Sequence, residues 1–104
     1  MLDRSEIVER LMGVLDPELG VNIVDLGLLY GIRIDGSHVA IDATLTFPGC
    51  PFGLQMMEAM KNAVRAVPGI EDVHVSIVWE PPWQTSMIAP DVHEELRLLG
   101  RVRT

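Results

Sequence analysis

Asp35-Gly36 lies between two alternating runs. Tyr30, Ile32 and Ile34 alternate with Gly31 and Arg33 on one side, and Val39, Ile41, Ala43 and Leu45 alternate with Asp42, Thr44 and Thr46 on the other. A tight Asp-Gly turn between two period-two runs is a strong hairpin signal, because its backbone supplies the twist that antiparallel strands need. Strands are therefore expected over 28–34 and 38–46, antiparallel, with one face buried and one partly wet.

The rest of the chain surrounds this hairpin. Ile7, Val8, Leu11, Met12 and Leu15 recur at helical spacing, and Asp3 with Glu6 has the pattern of a capping box, which predicts a helix over 3–15. Asp16-Pro17 stops it, and residues 17–25 hold no sustained period, so they read as an ordered loop. A second helix is expected over 51–67, with Phe52, Met56, Met60, Ala63, Val64 and Val67 as its apolar stripe and Pro68-Gly69 as its end. A third strand over 71–79 sets Val73, Val75, Ile77 and Trp79 toward the core. Glu80-Pro81-Pro82-Trp83 then breaks the chain before a last helix over 91–99 carrying Val92, Leu96 and Leu99 on one side. The fold expected is a single α+β domain spanning 1–104. It is a two-layer sandwich in the order α-β-β-α-β-α, with a small mixed sheet of about three strands, strand three beside strand one, and helices on one face.

This order brings distant segments together. The start of strand one and the end of strand two share one end of the sheet, and a strand three parallel to strand two finishes there too. The 16–25 loop, the turn after strand two and the 80–83 segment should meet on that rim, where loops on a scaffold commonly bind and react.

The turn after strand two is Phe47-Pro48-Gly49-Cys50-Pro51, and it holds the one cysteine of the chain. Proline is favoured at the first helical position, so Cys50 should stand at or beside a helix N-cap, a setting that favours the thiolate. That form binds metals and attacks electrophiles. A single cysteine makes no internal disulfide, which suits a reducing cytoplasm. The amino terminus has no basic start followed by an apolar run, and no stretch approaches the roughly 20 apolar residues of a membrane span despite a mean hydropathy of +0.26. The expectation is a soluble, cytoplasmic protein without a membrane partner. A net charge of -7, with Lys61 the single lysine, argues against nucleic acid as a partner.

Three stretches carry a family resemblance: Asp16-Pro17-Glu18-Leu19-Gly20-Val21-Asn22-Ile23-Val24-Asp25-Leu26-Gly27-Leu28-Leu29-Tyr30, then Leu45-Thr46-Phe47-Pro48-Gly49-Cys50-Pro51, then Val78-Trp79-Glu80-Pro81-Pro82-Trp83. In that order and spacing they resemble the SufT and PaaD type of iron-sulfur cluster assembly domain, over nearly the whole chain. The PaaD type carries extra cysteines in a carboxy-terminal extension, so the minimal, SufT-like member is the closer match. The resemblance implies a role in iron-sulfur cluster assembly and maturation, carrying clusters or delivering them to client apoproteins. It makes Cys50 the candidate ligand to a cluster or metal, with Asp16, Glu18, Asn22, Asp25 and Thr46 as supporting residues and Trp79, Pro82 and Trp83 as rim or lid. Phe47 stands where relatives often have a small residue, which would narrow access to the thiol.

Iron-sulfur clusters usually take four protein ligands. One thiol per chain therefore implies a labile cluster or iron held between subunits of a homodimer, or completed by ligands from a partner, a small thiol or the nearby carboxylates. The partners implied are other assembly proteins and client apoproteins. An accessory factor rather than an enzyme is the main expectation. A thiol-dependent enzyme or persulfide carrier using Cys50, and an adaptor that binds no metal, remain alternatives. Nucleophilic cysteines commonly rely on a nearby base, and strand geometry sets no histidine near Cys50. Asp16 and Asp25 also have a plain turn-forming reading, and Asn22 one as a left-handed turn residue.

Overall fold

The computed structural model describes residues 3–16, 19–46 and 53–99. Strand β1 (Leu29–Asp35) pairs antiparallel with β2 (His38–Ala43), as the alternation predicts. The turn itself is one residue further on than expected. Asp35 is paired with His38, which leaves Gly36-Ser37 as the two-residue loop, and Gly36 takes the positive φ of 60°. Glycine at the first central position is what a type II′ hairpin requires.

Helix α2 (Gly53–Arg65) follows, and strand β3 (Asp72–Ile77) runs parallel to β2 in a sheet ordered β1-β2-β3. The expected parallel direction of strand three is correct and its expected place beside strand one is not. β1 occupies only one edge of β2, and β3 takes the other, in unbroken register from His38↔Asp72 to Ala43↔Ile77. The Glu71 N–H donating to the Ser37 carbonyl at 2.9 Å starts this pairing.

Helix α1 (Arg4–Leu11) begins where predicted, with the Asp3 carboxylate accepting the Ser5 N–H at 2.9 Å. It ends earlier than residue 15. Gly13 and Val14 bond back only three residues, to Arg10 and Leu11, which tightens the last turn and releases the chain. Met12 is consequently exposed, and Leu15 forms an isolated bridge with Asn22 instead of a helical contact. In α2, Met56, Met60 and Val64 stand at four-residue intervals and are all buried. The predicted start of that helix at Pro51 and Phe52 lies outside the described residues.

Strand β2 also stops short of its predicted end at 46, because its partner bends away. A bulge between Leu29 and Gly31 takes Tyr30 out of register. The Thr44 N–H then bonds to the Leu28 carbonyl at 2.8 Å, and Thr44 and Leu45 are both buried. Alternation breaks there, so Thr44, predicted on the wet face, is fully enclosed. β3 likewise ends at Ile77, which leaves Trp79 44% exposed instead of in the core. After a single 3-10 turn, Thr85–Met87, helix α3 (Pro90–Leu98) starts with Pro90 in its first turn. Leu96 is buried and Leu99 is exposed, so only part of the predicted stripe is used.

The helices α1 and α2 cover one face of the sheet, meeting Ile32, Val39, Ile41, Val73 and Val75. The other face is polar, with Arg33 donating to Asp42 at 3.1 Å. Ile41 is fully buried on the central strand, whereas Leu54 on α2 is 80% exposed. Replacing Ile41 by alanine should cost about 2–5 kcal/mol of folding stability, through lost burial and a residual cavity. Leu54→Ala should change it by no more than about 0.5 kcal/mol. Urea unfolding of the two variants measures the difference.

Candidate functional site

The rim begins where α1 ends. Asp16 donates its N–H to the Val21 carbonyl at 2.9 Å, and Ile23 donates to Val14 at 3.0 Å, so residues 14–16 and 21–23 form a short antiparallel clasp. The Asp16 side chain is almost fully buried inside it, and its Oδ1 accepts the Leu19 N–H at 3.1 Å. Its carbonyl accepts the Gly20 N–H at 2.8 Å, with Gly20 at φ 70°. This is the turn-forming role that aspartate's short side chain performs well.

Asn22 and Asp25 are joined twice. The Asp25 N–H donates to Asn22 Oδ1 at 2.9 Å, and Asn22 Nδ2 donates to Asp25 Oδ2 at 2.8 Å. The arrangement is a reciprocal cap on the turn that follows, closed by the Leu26 N–H on the Asn22 carbonyl at 3.1 Å. Asn22 does not supply a left-handed backbone. Among the described residues every positive φ belongs to glycine, and Gly20 and Gly27 provide it on either side.

The segment after β3 returns to this loop as the topology predicts. It passes a cis Glu80–Pro81 bond and is fastened at three points. Tyr30 Oη donates to the Pro81 carbonyl at 2.7 Å, Trp83 Nε1 donates to the Leu26 carbonyl at 2.7 Å, and the Ala89 N–H donates to the Asp25 carbonyl at 2.7 Å. Trp83 is half-buried against the core, while Trp79 and Pro82 are exposed. The structure therefore brings Asn22, Asp25 and Trp83 into one bonded unit with Asp16 at its base. Thr46, the last described residue before 47–52, is half-buried.

Glu18 and Cys50 lie outside the described residues. The described chain on either side of 47–52 comes together: a Cβ added to Gly53 would stand 3.0 Å from Leu45 Cδ1. Leu45 follows the Thr44–Leu28 bond, so this corner is tied to the loop rim.

Tyr30, Gly27 and Met87 are rim residues that sequence reasoning missed. Tyr30 reads as one more core position of an alternating strand, and only the bulge turns its hydroxyl to Pro81 and Met87 Sδ, the latter at 3.6 Å. Gly27 has φ 76°, and an added Cβ would collide with the Met87 carbonyl oxygen and stand 2.9 Å from Met87 Cβ. No residue with a side chain fits between these two backbones.

Among the described residues no three His, Cys, Asp or Glu side chains gather into a group able to hold a metal ion. No described helix is long and apolar enough to cross a membrane. The shifted titrations lie on α3. There the Arg97 guanidinium hydrogen-bonds the Glu94 carboxylate, holding that carboxyl below its ordinary range and raising its own pKa.

The fold is a two-layer α+β domain in which the first and third motif-bearing segments are bonded to each other at one end of the sheet. Comparison with known proteins makes the class specific. The model of the iron-sulfur cluster assembly protein family matches residues 4–77, and the chain belongs to that family. It is 46% identical over 77 residues to the Fe-S protein maturation auxiliary factor SufT of Staphylococcus aureus, covering 73% of this chain and 88% of that one. It is 42% identical over 81 residues to the auxiliary factor YitW of Bacillus subtilis, covering 77% and 79%. A crystal structure of a domain of unknown function from Bacillus anthracis superposes with a TM-score of 0.84 at 34% identity, covering 88% of this chain and 89% of the other.

Two glycines test the rim. Gly27→Ala should cost at least about 2 kcal/mol, combining the left-handed backbone with overpacking against Met87. Gly36→Ala, with nothing within 4 Å of the new methyl, should cost only the backbone term of about 1–2 kcal/mol. Asn22→Ala, which removes the cap on Asp25, should cost about 1 kcal/mol. Thermal or urea unfolding of the three variants orders them.

Proposed function

We propose that this chain, acting as one domain, is an accessory factor of iron-sulfur cluster assembly. Its cargo is a labile cluster or iron that it carries or helps deliver to client apoproteins, with the Cys50 sulfur as its own ligand. Family membership supports the process, and the names of the similar maturation factors support an auxiliary role over an enzymatic one. The observation that carries the assignment of Cys50 is the contact of Leu45 with Gly53 beside the Thr44–Leu28 bond. It sets the described residues on either side of 47–52 beside the loop where Asn22, Asp25 and Trp83 are joined.

One thiolate leaves a cluster short of ligands. Asp16 and Asp25 already accept hydrogen bonds that shape the loop, so using them would cost the rim its own turns. This favours ligands from outside the chain: a second copy in a homodimer, an assembly protein, a client or a small thiol. Cargo held in this way exchanges readily. Glu18, Asn22 and Thr46 support the site, and Trp79, Pro82 and Trp83 frame it for a protein partner. A cytoplasmic location fits the reduced thiol.

The same internal use of the carboxylates favours a second reading, an adaptor whose rim docks proteins and holds no metal. Cys50→Ala separates the two. The variant should unfold at the same denaturant concentration as the wild type, fail to develop charge-transfer absorption with iron and sulfide under anaerobic conditions, and leave client enzymes as inactive as in cells without the protein. Full restoration of client activity by the alanine variant selects the adaptor, and turnover of a small thiol substrate selects an enzyme.

A further inference from the structure

Among the described methionines, Met87 alone sets its sulfur against a polar group. Met56 and Met60 are sealed in the core, Met57 packs against it, and Met12 is 44% exposed. Met87 is half-buried, and its Sδ lies 3.6 Å from Tyr30 Oη. That hydroxyl has a single proton, which it donates to the Pro81 carbonyl at 2.7 Å. A thioether is a weak acceptor and competes poorly for it. Tyr30 therefore serves Pro81, and through it fastens the 79–82 stretch to β1.

The sulfur is within reach of a small oxidant. A cavity of about 580 Å³ borders this contact, lined by Tyr30, Met87, Pro81, Glu80, Val78 and Asp42. Glu80 and Pro81 on its edge are exposed. A water molecule takes about 30 Å³ of liquid volume, and hydrogen peroxide is little larger, so the cavity admits either with room to spare.

We propose that Met87 is a reversible oxidation site, with hydrogen peroxide as the oxidant, and that its sulfoxide releases Pro81 from Tyr30. A sulfur lone pair attacks one peroxide oxygen, and the S–O bond forms as the O–O bond breaks. The leaving hydroxide takes the proton of the transferred oxygen and departs as water. Sulfur is oxidised by two electrons and the peroxide is reduced by the same two. The strongly polar S–O bond turns a weak acceptor into one that outcompetes an amide carbonyl. An angled S–O···H–O bond, with about 2.7 Å between its oxygens, spans the 3.6 Å that separates sulfur from hydroxyl. Tyr30 then turns its proton from Pro81 to the sulfoxide. Trp83 and Ala89 still hold the segment to Leu26 and Asp25, so the 79–82 stretch is loosened while the fold persists. Methionine sulfoxide reductases remove the oxygen, and the bond to Pro81 forms again. The loosened stretch carries Trp79 and Pro82, so oxidation weakens the docking of a protein partner; that consequence, unlike the switch itself, rests on the proposed function.

The test uses the full chain as Cys50→Ala, free of metal, so that no thiol consumes peroxide and the outcome is independent of cluster binding. After peroxide treatment, peptide mass spectrometry should find one added oxygen at Met87 and at the exposed Met12, and none at Met56 or Met60. Tyr30 is the single tyrosine of the chain, so a labelled ring reports on it alone. Its NMR signals should shift on oxidation and return after treatment with methionine sulfoxide reductases. The Trp83 Nε1–H should exchange about fivefold faster in the oxidised protein, the weight of one net hydrogen bond. Met12→Leu should leave this response intact and Met87→Leu should abolish it. Tyr30→Phe should exchange at the faster rate before any peroxide is added and gain nothing from it. A protein in which Met12 is converted and Met87 is not overturns the proposal. So does a Met87 sulfoxide that leaves the Tyr30 signals and the Trp83 exchange unchanged, or a Met87→Leu variant that responds as its parent does.

Discussion

The pairing of β2 on both of its edges is the constraint on which the rest depends. β1 reaches it through a two-residue loop and β3 through a helix, and Ile41 at its centre is sealed between α1, α2 and the sheet. Once β2 is fixed, the ends of β2 and β3 and the start of β1 have one place to be. The described segments before β1 and after β3 gather at that place without any need for long-range attraction between them.

What holds the rim is different in kind from what holds the sheet. Its joints are hydrogen bonds from side chains to backbone and between backbone groups of separate segments, each worth about 1 kcal/mol net. Tyr30 to Pro81, Trp83 to Leu26 and Ala89 to Asp25 are individually modest, yet all act on the same two segments. The polar residues that look most like ligands in the sequence, Asp16, Asn22 and Asp25, are used first as the mortar of this loop. A family of cluster assembly proteins can therefore require these residues for shape.

Much of this was legible in the chain. The alternation around residue 36 and the helical spacing of Met56, Met60 and Val64 lead directly to the sheet and α2, because burial imposes those periods. The antiparallel hairpin and parallel third strand predict the shared rim. Strand order was not legible, since a parallel strand can in principle add beside either neighbour, and only the free edge of β2 decides it. Thr44 and Trp79 escaped for a common reason: each lies just past the end of a ladder, where the period of two no longer governs which way a side chain turns. Tyr30 escaped because a bulge is a one-residue event that leaves no periodic trace. The resemblance carried by the three motifs led to the family, while the turn that holds Cys50 lies outside the described residues.

The close approach of Gly27 to Met87 has a mechanical consequence. Two main chains in contact with no side chain between them behave like a dovetail joint, which slides poorly and opens only by coming apart. The free energy of any encounter at this joint would therefore not be spent on shaping the host.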